Sequence, residues 1–254
     1  MNKFTIKALL IDYDNTLVLF NEDQFLTSYA RIAAPYFADL LDENTFFQKL
    51  LASTLHMIHN DGSMINVEAF TNHFISDLSQ LSYDECYDRF SRFYRESFQE
   101  LEKIGQTVPE GRQVVKNALN ADLQVAIATN PIFPEEAMVH RLKWANLSDL
   151  DIDLVTHAEN MRYCKPRPEY YQAILENLKR KPDECLMVGN DTLADMAASV
   201  IGVKTFLVEI DAEKGRTGLI SSQVGRYTRD ITTGTKFPID WRGTLKDLDK
   251  ILFK

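Results

Sequence analysis

Residues 7–13, Lys-Ala-Leu-Leu-Ile-Asp-Tyr, form a short, almost unbroken apolar run that closes on carboxylates. A strand buried on both faces reads this way. Runs of the same kind recur at 123–129, 154–156, 185–189 and 205–210. Helical patterning fills the spaces between them, at about 110–121, 134–146, 167–179 and 192–201. Strands alternating with helices predict βαβ units, a parallel sheet covered on both faces and right-handed crossovers.

Between the first two runs the pattern changes. Residues 22–41, 44–59, 65–80 and 83–104 each carry helical periodicity, and no strand pattern is visible among them. In the last, Tyr83, Tyr87, Phe90, Tyr94, Phe98 and Leu101 recur every three or four residues and so share one face. The expectation is an α/β core made of residues 1–19 and 109–254, with an all-helical cap, a four-helix bundle, inserted at 20–108. Pro109 and the Asp-Gly-Ser turn at 61–63 punctuate it. Beyond Ile210, Gly215, Gly218, Gly225 and Gly234 suggest loops, and Leu245–Phe253 a short closing helix.

Composition refines this outline. An apolar content of 45% over 254 residues is ample for a packed core. The net charge of −9, without a basic tract, speaks against nucleic acid or anionic lipid as a partner. That charge is uneven. Residues 20–108 hold 6 basic and 14 acidic side chains, and 10 of the 15 phenylalanines, whereas the remainder holds 22 and 23. No run approaches the roughly 18 apolar residues of a membrane span. The N-terminus does not read as a signal peptide. Three cysteines, Cys86, Cys164 and Cys185, form no CxxC pair. A reduced, cytoplasmic protein is the expectation.

In open parallel sheets ligands bind beyond the carboxyl ends of the strands, so the chemistry is sought there. The first strand ends Asp12-Tyr13-Asp14-Asn15-Thr16, and residues two apart face the same side, so Asp12 and Asp14 share one space. Crowded carboxylates call for a cation or a shared proton. A solvated loop would look the same in isolation. The second strand ends in Thr129-Asn130-Pro131, either a plain Asn-Pro turn or a hydroxyl and an amide able to donate to an oxyanion. Lys165, before Pro166, is either a solvent-facing lysine or an ammonium aimed at a phosphoryl oxygen. The fourth strand ends Gly189-Asn190-Asp191, with Asp195 one turn on. These acids are either helix-capping groups or a metal-binding pair.

Taken together and in this order, the four strand ends resemble the haloacid dehalogenase superfamily over residues 5–20 and 109–210. That resemblance implies a Rossmann-like core with a helical cap after the first motif. It implies a Mg²⁺-dependent phosphatase acting on a small phosphorylated metabolite: a sugar phosphate, phosphoglycolate or a nucleoside monophosphate. It further implies Asp12 as the nucleophile forming an aspartyl-phosphate, and Asp14 as the acid and base. Thr129, Asn130 and Lys165 are implied to bind the phosphoryl group. The metal falls to Asp12, the Asp14 carbonyl and Asp191, with Asp195 supporting. The dehalogenases lack a carboxylate at the position of Asp14, which favours the phosphatase branch. A phosphomutase of the β-phosphoglucomutase kind and a ligand-binding protein without turnover remain the alternatives, and oligomeric state is open. One departure is Asn15, where the family usually has Gly. If the turn needs a positive φ, Asn is the side chain best suited to replace it.

Other residues read more plainly. His56 and His59 lack a third ligand and are expected at the surface or packed within the cap. Arg89 and Arg92 follow Glu85 and Asp88 by four residues, which predicts helical ion pairs. Arg95 has no such partner and is a candidate for reaching substrate. The turn at 59–63 is expected at the surface rather than in the cleft, and Trp144 and Trp241 are expected to pack.

Overall fold

A computed structural model describes residues 6–209 and 236–253. Six strands form one parallel sheet: β1 (Ala8–Ile11), β4 (Gln124–Ile127), β5 (Leu154–Val155), β6 (Cys185–Gly189), β7 (Lys204–Val208) and β8 (Trp241–Gly243), in the order β5-β4-β1-β6-β7-β8. Alternation within β1 sends Leu9 and Ile11 to one face and Ala8 and Leu10 to the other, and all four are fully buried. The first face packs with Val114, Val115 and Ala118 of α5 (Pro109–Asn120) and with Ala137 and Met138 of α6 (Glu135–Trp144). The second packs with Tyr170, Ile174 and Leu178 of α7 (Pro168–Leu178). The α/β parallel architecture is therefore as expected. Ile11 pairs with both Ile127 and Val188, so three strands end level around the centre of the sheet.

Two short ladders were not visible as patterns. Val18–Leu19 (β2) pairs antiparallel with Gln106–Thr107 (β3), zipping together the two ends of the inserted segment. Strand β8 extends the sheet edge, where Asp240 accepts from the Thr205 N–H at 2.9 Å. Two or three residues are too few to display alternation, and pairing is what reveals these two ladders. Among the described part of the tail, the closing helix α8 (Leu245–Phe253) is present. The loops expected at residues 215–234 lie outside the described residues.

Between β2 and β3 run α1 (Glu22–Ala33), α2 (Glu43–Ile58), α3 (Asn66–Phe74) and α4 (Tyr83–Glu96). Asp42 caps α2 by accepting the Asn44 and Thr45 N–H groups, and Ser82 and Glu85 form a capping box on α4. The first, third and last expected helices are shorter than the periodicity suggests, the third ending at Phe74 rather than running to residue 80. The first gives way to a 3-10 turn at Ala34–Phe37, where Pro35 lacks the N–H a continuing helix needs, and the last becomes 3-10 at Phe98–Ile104. The expected helix at 192–201 is a set of turns followed by 3-10 at Met196–Ile201, and Asp191 caps the start of those turns by accepting the Leu193 and Ala194 N–H groups. Phe37 anchors the insert, with its ring centroid 5.2, 5.3 and 4.7 Å from those of Phe46, Phe74 and Phe90. The insert meets the sheet's helices through Phe98 stacked on Trp144 and Phe25 edge-on to Phe133. Buried Asn66 adds a polar tie, donating to the Pro131 carbonyl at 3.2 Å and accepting from Asn60 at 3.0 Å.

Candidate active site

The site begins where β1 stops. The Asp12 N–H donates to the Val188 carbonyl at 2.8 Å, extending the ladder by one residue, and the chain then turns. Asn15 holds that turn with φ 57°, the left-handed conformation that its side chain tolerates. Its Oδ1 accepts the Phe20 N–H at 3.0 Å, so here the Asn side chain also stitches the turn to the chain beyond.

Three charges meet beneath this turn. Lys165 Nζ donates to Asp12 Oδ1 at 2.7 Å and to Asp195 Oδ1 at 2.6 Å, and all three residues are buried. Burial, reinforced by the Asp195 charge and opposed by Lys165, pushes the Asp12 carboxyl up to about 8. Burial raises Asp195 as well, against the pull of Lys165. Burial works against the Lys165 ammonium too, but the Asp12 and Asp195 carboxylates outweigh it and hold it well above the usual lysine range. One ammonium thus serves two carboxylates. Gly189 makes this approach possible, since a Cβ there would lie 2.1 Å from Asp195 Oδ2. The same oxygen accepts the Asp191 N–H at 2.9 Å, while Asp191 Oδ1 accepts from Leu193 and Ala194.

Asp14 has a separate partner that sequence reasoning missed. Arg141 Nη2 donates to both of its oxygens at 2.7 Å. Arg141 is fully buried, with its guanidinium 4.1 Å from the Tyr13 ring centroid and 4.8 Å from that of Phe133. Its Nε and Nη1 have no hydrogen-bond partner, so aromatic faces take the place of acceptors. A signal did exist. Ala137, Met138, Arg141, Trp144 and Ala145 are the buried positions of α6 and its end, and the arginine sits in the middle of that apolar stripe.

The remaining expected residues lie close by. Thr129 Oγ1 is 3.5 Å from Asp14 Oδ2, and Asn130 Oδ1 accepts the Lys165 N–H at 3.2 Å. Asp12, Asp14, Asn130, Lys165, Asp191 and Asp195 all border one cavity of about 270 Å³, together with Arg141 and Glu22. Five acids border it against two cations, an excess of three negative charges when all five are ionised, and burial resists that ionisation at Asp12 and Asp195. A phosphate dianion would be repelled from such a space unless a cation shared it. The donors there are oxygens, with no His or Cys among the described wall residues, which suits a hard divalent cation. Among the described residues no three acid, His or Cys side chains converge as a ready-made cage. The geometry says why: Asp14 is turned to Arg141, Asp195 to Lys165, and Asp191 to its own turn.

Residues weighed on weaker signals resolve into structure. His56 stacks on His73 with centroids 4.5 Å apart. Arg89 pairs bidentately with Asp39 and Arg92 with Glu96, correcting the expected partners Glu85 and Asp88. Glu85 is already committed to capping α4. Arg95 does not stand ready for substrate, since it pairs with Glu136 of α6 at 2.9 Å. The turn at 59–63 neither enters the cleft nor floats free. Gly62 packs against the Tyr163 ring, and Asn60 donates to the Arg162 carbonyl at 2.8 Å. Trp144 is buried and Trp241 packs at its edge of the core. All three cysteines are buried and unpaired, and burial pushes each thiol up to about 12. No described helix is long and apolar enough to cross a membrane.

Comparison with known proteins bears on the family and the fold. The family described as haloacid dehalogenase-like hydrolase matches residues 6–199. Pyrophosphatase PpaX of Bacillus cereus (strain Q1) is 26% identical over 212 residues, spanning 80% of this chain and 83% of the relative. Among solved structures, a HAD phosphatase from Thermococcus onnurineus superposes with TM-score 0.55 at 19% identity, covering 98% of each chain. L-2-haloacid dehalogenase from Xanthobacter autotrophicus superposes with TM-score 0.53 at 17% identity, covering 97% of this chain and 98% of that one. At such identities the superpositions speak to the fold alone.

Proposed function

Since the chain belongs to the haloacid dehalogenase-like hydrolase family, we propose that it is a phosphatase that hydrolyses a small phosphomonoester through an aspartyl-phosphate on Asp12. The observation that carries this reading is the presence of two carboxylates on one cavity in separate settings: Asp12 buried against Lys165, and Asp14 gripped by Arg141 with its side chain 42% exposed. An Asp12 oxygen attacks phosphorus and the P–O bond to the alcohol breaks. Asp14 delivers the proton that the departing oxygen needs, then takes one from water as that water attacks the acyl-phosphate, releasing phosphate and restoring Asp12. Lys165 offsets charge on both Asp12 and the phosphoryl oxygens; Asn130 on the cavity wall, and Thr129 beside Asp14, are the groups to donate to those oxygens. Arg141 is a positioning residue that fixes the Asp14 carboxylate without touching the phosphoryl group.

The acid-rich cavity walls support Mg²⁺ as cofactor, which the Asp12 carboxylate, the Asp14 carbonyl and Asp191 would hold, with Asp195 supporting. When bound it neutralises phosphoryl charge. An intact Asp14 favours phosphoryl transfer over halide displacement, because a halide needs no proton to leave. The phosphomutase alternative needs a second anion site, and both cations bordering the cavity are already engaged by carboxylates.

Release of inorganic phosphate from acetyl phosphate and p-nitrophenyl phosphate, with Mg²⁺ or with EDTA, tests the proposal. Turnover that disappears with EDTA and in Asp12→Asn is expected. Silence on every phosphoryl donor, or turnover indifferent to Asp12, would overturn it.

A further inference from the structure

Adjoining the cavity over Asp12 is a second chamber of about 100 Å³, walled largely by helices of the insert. Phe25, Leu26, Thr54, Ile132 and Phe133 border both spaces, so the two adjoin at these side chains. Farther in, the walls are chiefly apolar, with Met57, Phe70 and Phe90 among them. No charged side chain borders the chamber among the described residues. Its hydroxyls are mostly spoken for: Tyr29 and Tyr94 bond each other at 2.6 Å, and Thr54 Oγ1 donates to the Leu50 carbonyl at 2.8 Å. Tyr87 reaches Glu159 at 3.5 Å.

Resting on the phosphatase reading, we infer that the alcohol released by this enzyme is apolar, a single aromatic ring or a short alkyl group that occupies this chamber while its phosphoryl group lies over Asp12. At about 100 Å³ the chamber is smaller than the ~150 Å³ apolar cavity that accepts benzene and stays dry without it, so it takes a short alkyl chain, or one ring whose phosphate-bearing edge stays in the adjoining cavity. The chemistry fits as well. A sugar or ribose would surrender water at several hydroxyls and find few free partners in return. A second phosphate, as in pyrophosphate or a sugar bisphosphate, would enter an apolar space with no unpaired cation beside it. The likeness to PpaX pyrophosphatases therefore does not extend, on this inference, to a phosphate leaving group. The sugar phosphates and nucleotides that the family resemblance admits are disfavoured on the same grounds.

The test is a comparison of kcat/KM, with Mg²⁺, for phenyl phosphate and n-butyl phosphate against glucose 6-phosphate, phosphoglycolate, a nucleoside monophosphate and pyrophosphate. Acetyl phosphate serves as the small activated reference. The apolar esters are expected to lead the polar ones by about tenfold or more, the scale on which an apolar pocket discriminates. In Ala158→Leu, which places bulk in the chamber, the ratio of phenyl phosphate to acetyl phosphate turnover should fall about tenfold. Phe70→Ala, which enlarges it, should shift preference towards 1-naphthyl phosphate and covers the case in which the first variant does not fold. If a sugar phosphate or pyrophosphate is the fastest substrate while acetyl phosphate is turned over, the inference is wrong and the phosphatase reading survives. If acetyl phosphate also fails, both fall.

Discussion

The floor and the roof of the cavity are made from opposite materials. The floor is strand-end chemistry: Asp12, Asp14, Lys165 and Asp195, each locked by charged partners at 2.6–2.7 Å. The roof is hydrocarbon, Phe25 and Leu26 from α1 with Ile132 and Phe133 from the loop before α6, and its contacts are weakly directional. Charged groups in a low-dielectric floor are expensive to leave unpaired, so their geometry is tightly determined. Apolar side chains tolerate exchange of similar volume at small cost, so a roof of this kind can change its selectivity while the floor keeps its reaction. The contrast teaches that reaction type and substrate choice are stored in different interactions, and each can be broken separately.

Lys165→Met should break the floor most severely. It leaves Asp12 and Asp195 buried without their shared cation, which costs about 3–5 kcal/mol of stability and lowers kcat by about 10²–10³. Urea unfolding and steady-state kinetics measure the two effects, and a wild-type kcat would exclude Lys165 from the reaction. Arg141→Met should be next, lowering kcat by about 10² as Asp14 loses its holder. Arg141→Lys should recover only part of that, because an ammonium keeps the charge and gives up the flat stack on Tyr13 and Phe133. Equal losses in the two variants would assign Arg141 to packing alone.

The roof is loosened more gently. Asn66→Ala removes the donor to the buried Pro131 carbonyl and should cost about 1–3 kcal/mol, with KM rising more than kcat falls. Arg95→Ala removes an exposed bridge from α4 to Glu136 and should change stability by less than about 1 kcal/mol. The smallest effect is expected at Asp149, fully exposed and held at about 2, first by its hydrogen bond from Arg112. A lowered carboxyl pKa contributes stability that is present above 3.8 and lost as pH falls towards 2. The Tm difference between wild type and Asp149→Asn should therefore shrink over that interval. A constant difference would show that the pair acts through packing rather than charge.

Much of the floor was legible because its residues are tied to strand ends. A strand of four or five apolar residues that stops at Asp, Thr or Gly announces both its own boundary and what stands at that boundary. The level ends of β1, β4 and β6 then bring Asp12, Thr129 and Asp191 to one edge. Asn15 was legible for a similar reason, since its conformation is decided by local sterics. Arg141 was not: within an amphipathic helix one arginine on the apolar face resembles a break in the pattern, and its purpose appears only when Asp14, 127 positions away in sequence, is brought against it. Arg89 shows the same limit, because the partner four residues earlier was nearer in sequence while Asp39 was nearer in space.

The sequence by itself determined the alternation of buried strands and helices, the change of pattern in the inserted segment, and the order of charged residues at the strand ends. These follow from local periodicity and turn chemistry, which act over a few residues. Only the tertiary structure decided that Lys165 serves two acids at once, that Arg141 holds Asp14, that β2 and β3 close the base of the insert, and that an apolar chamber opens beside the acidic floor. Each of these depends on side chains distant in sequence filling one volume. A buried charge or an enclosed cavity is a property of that shared volume, and no single segment of the chain contains it.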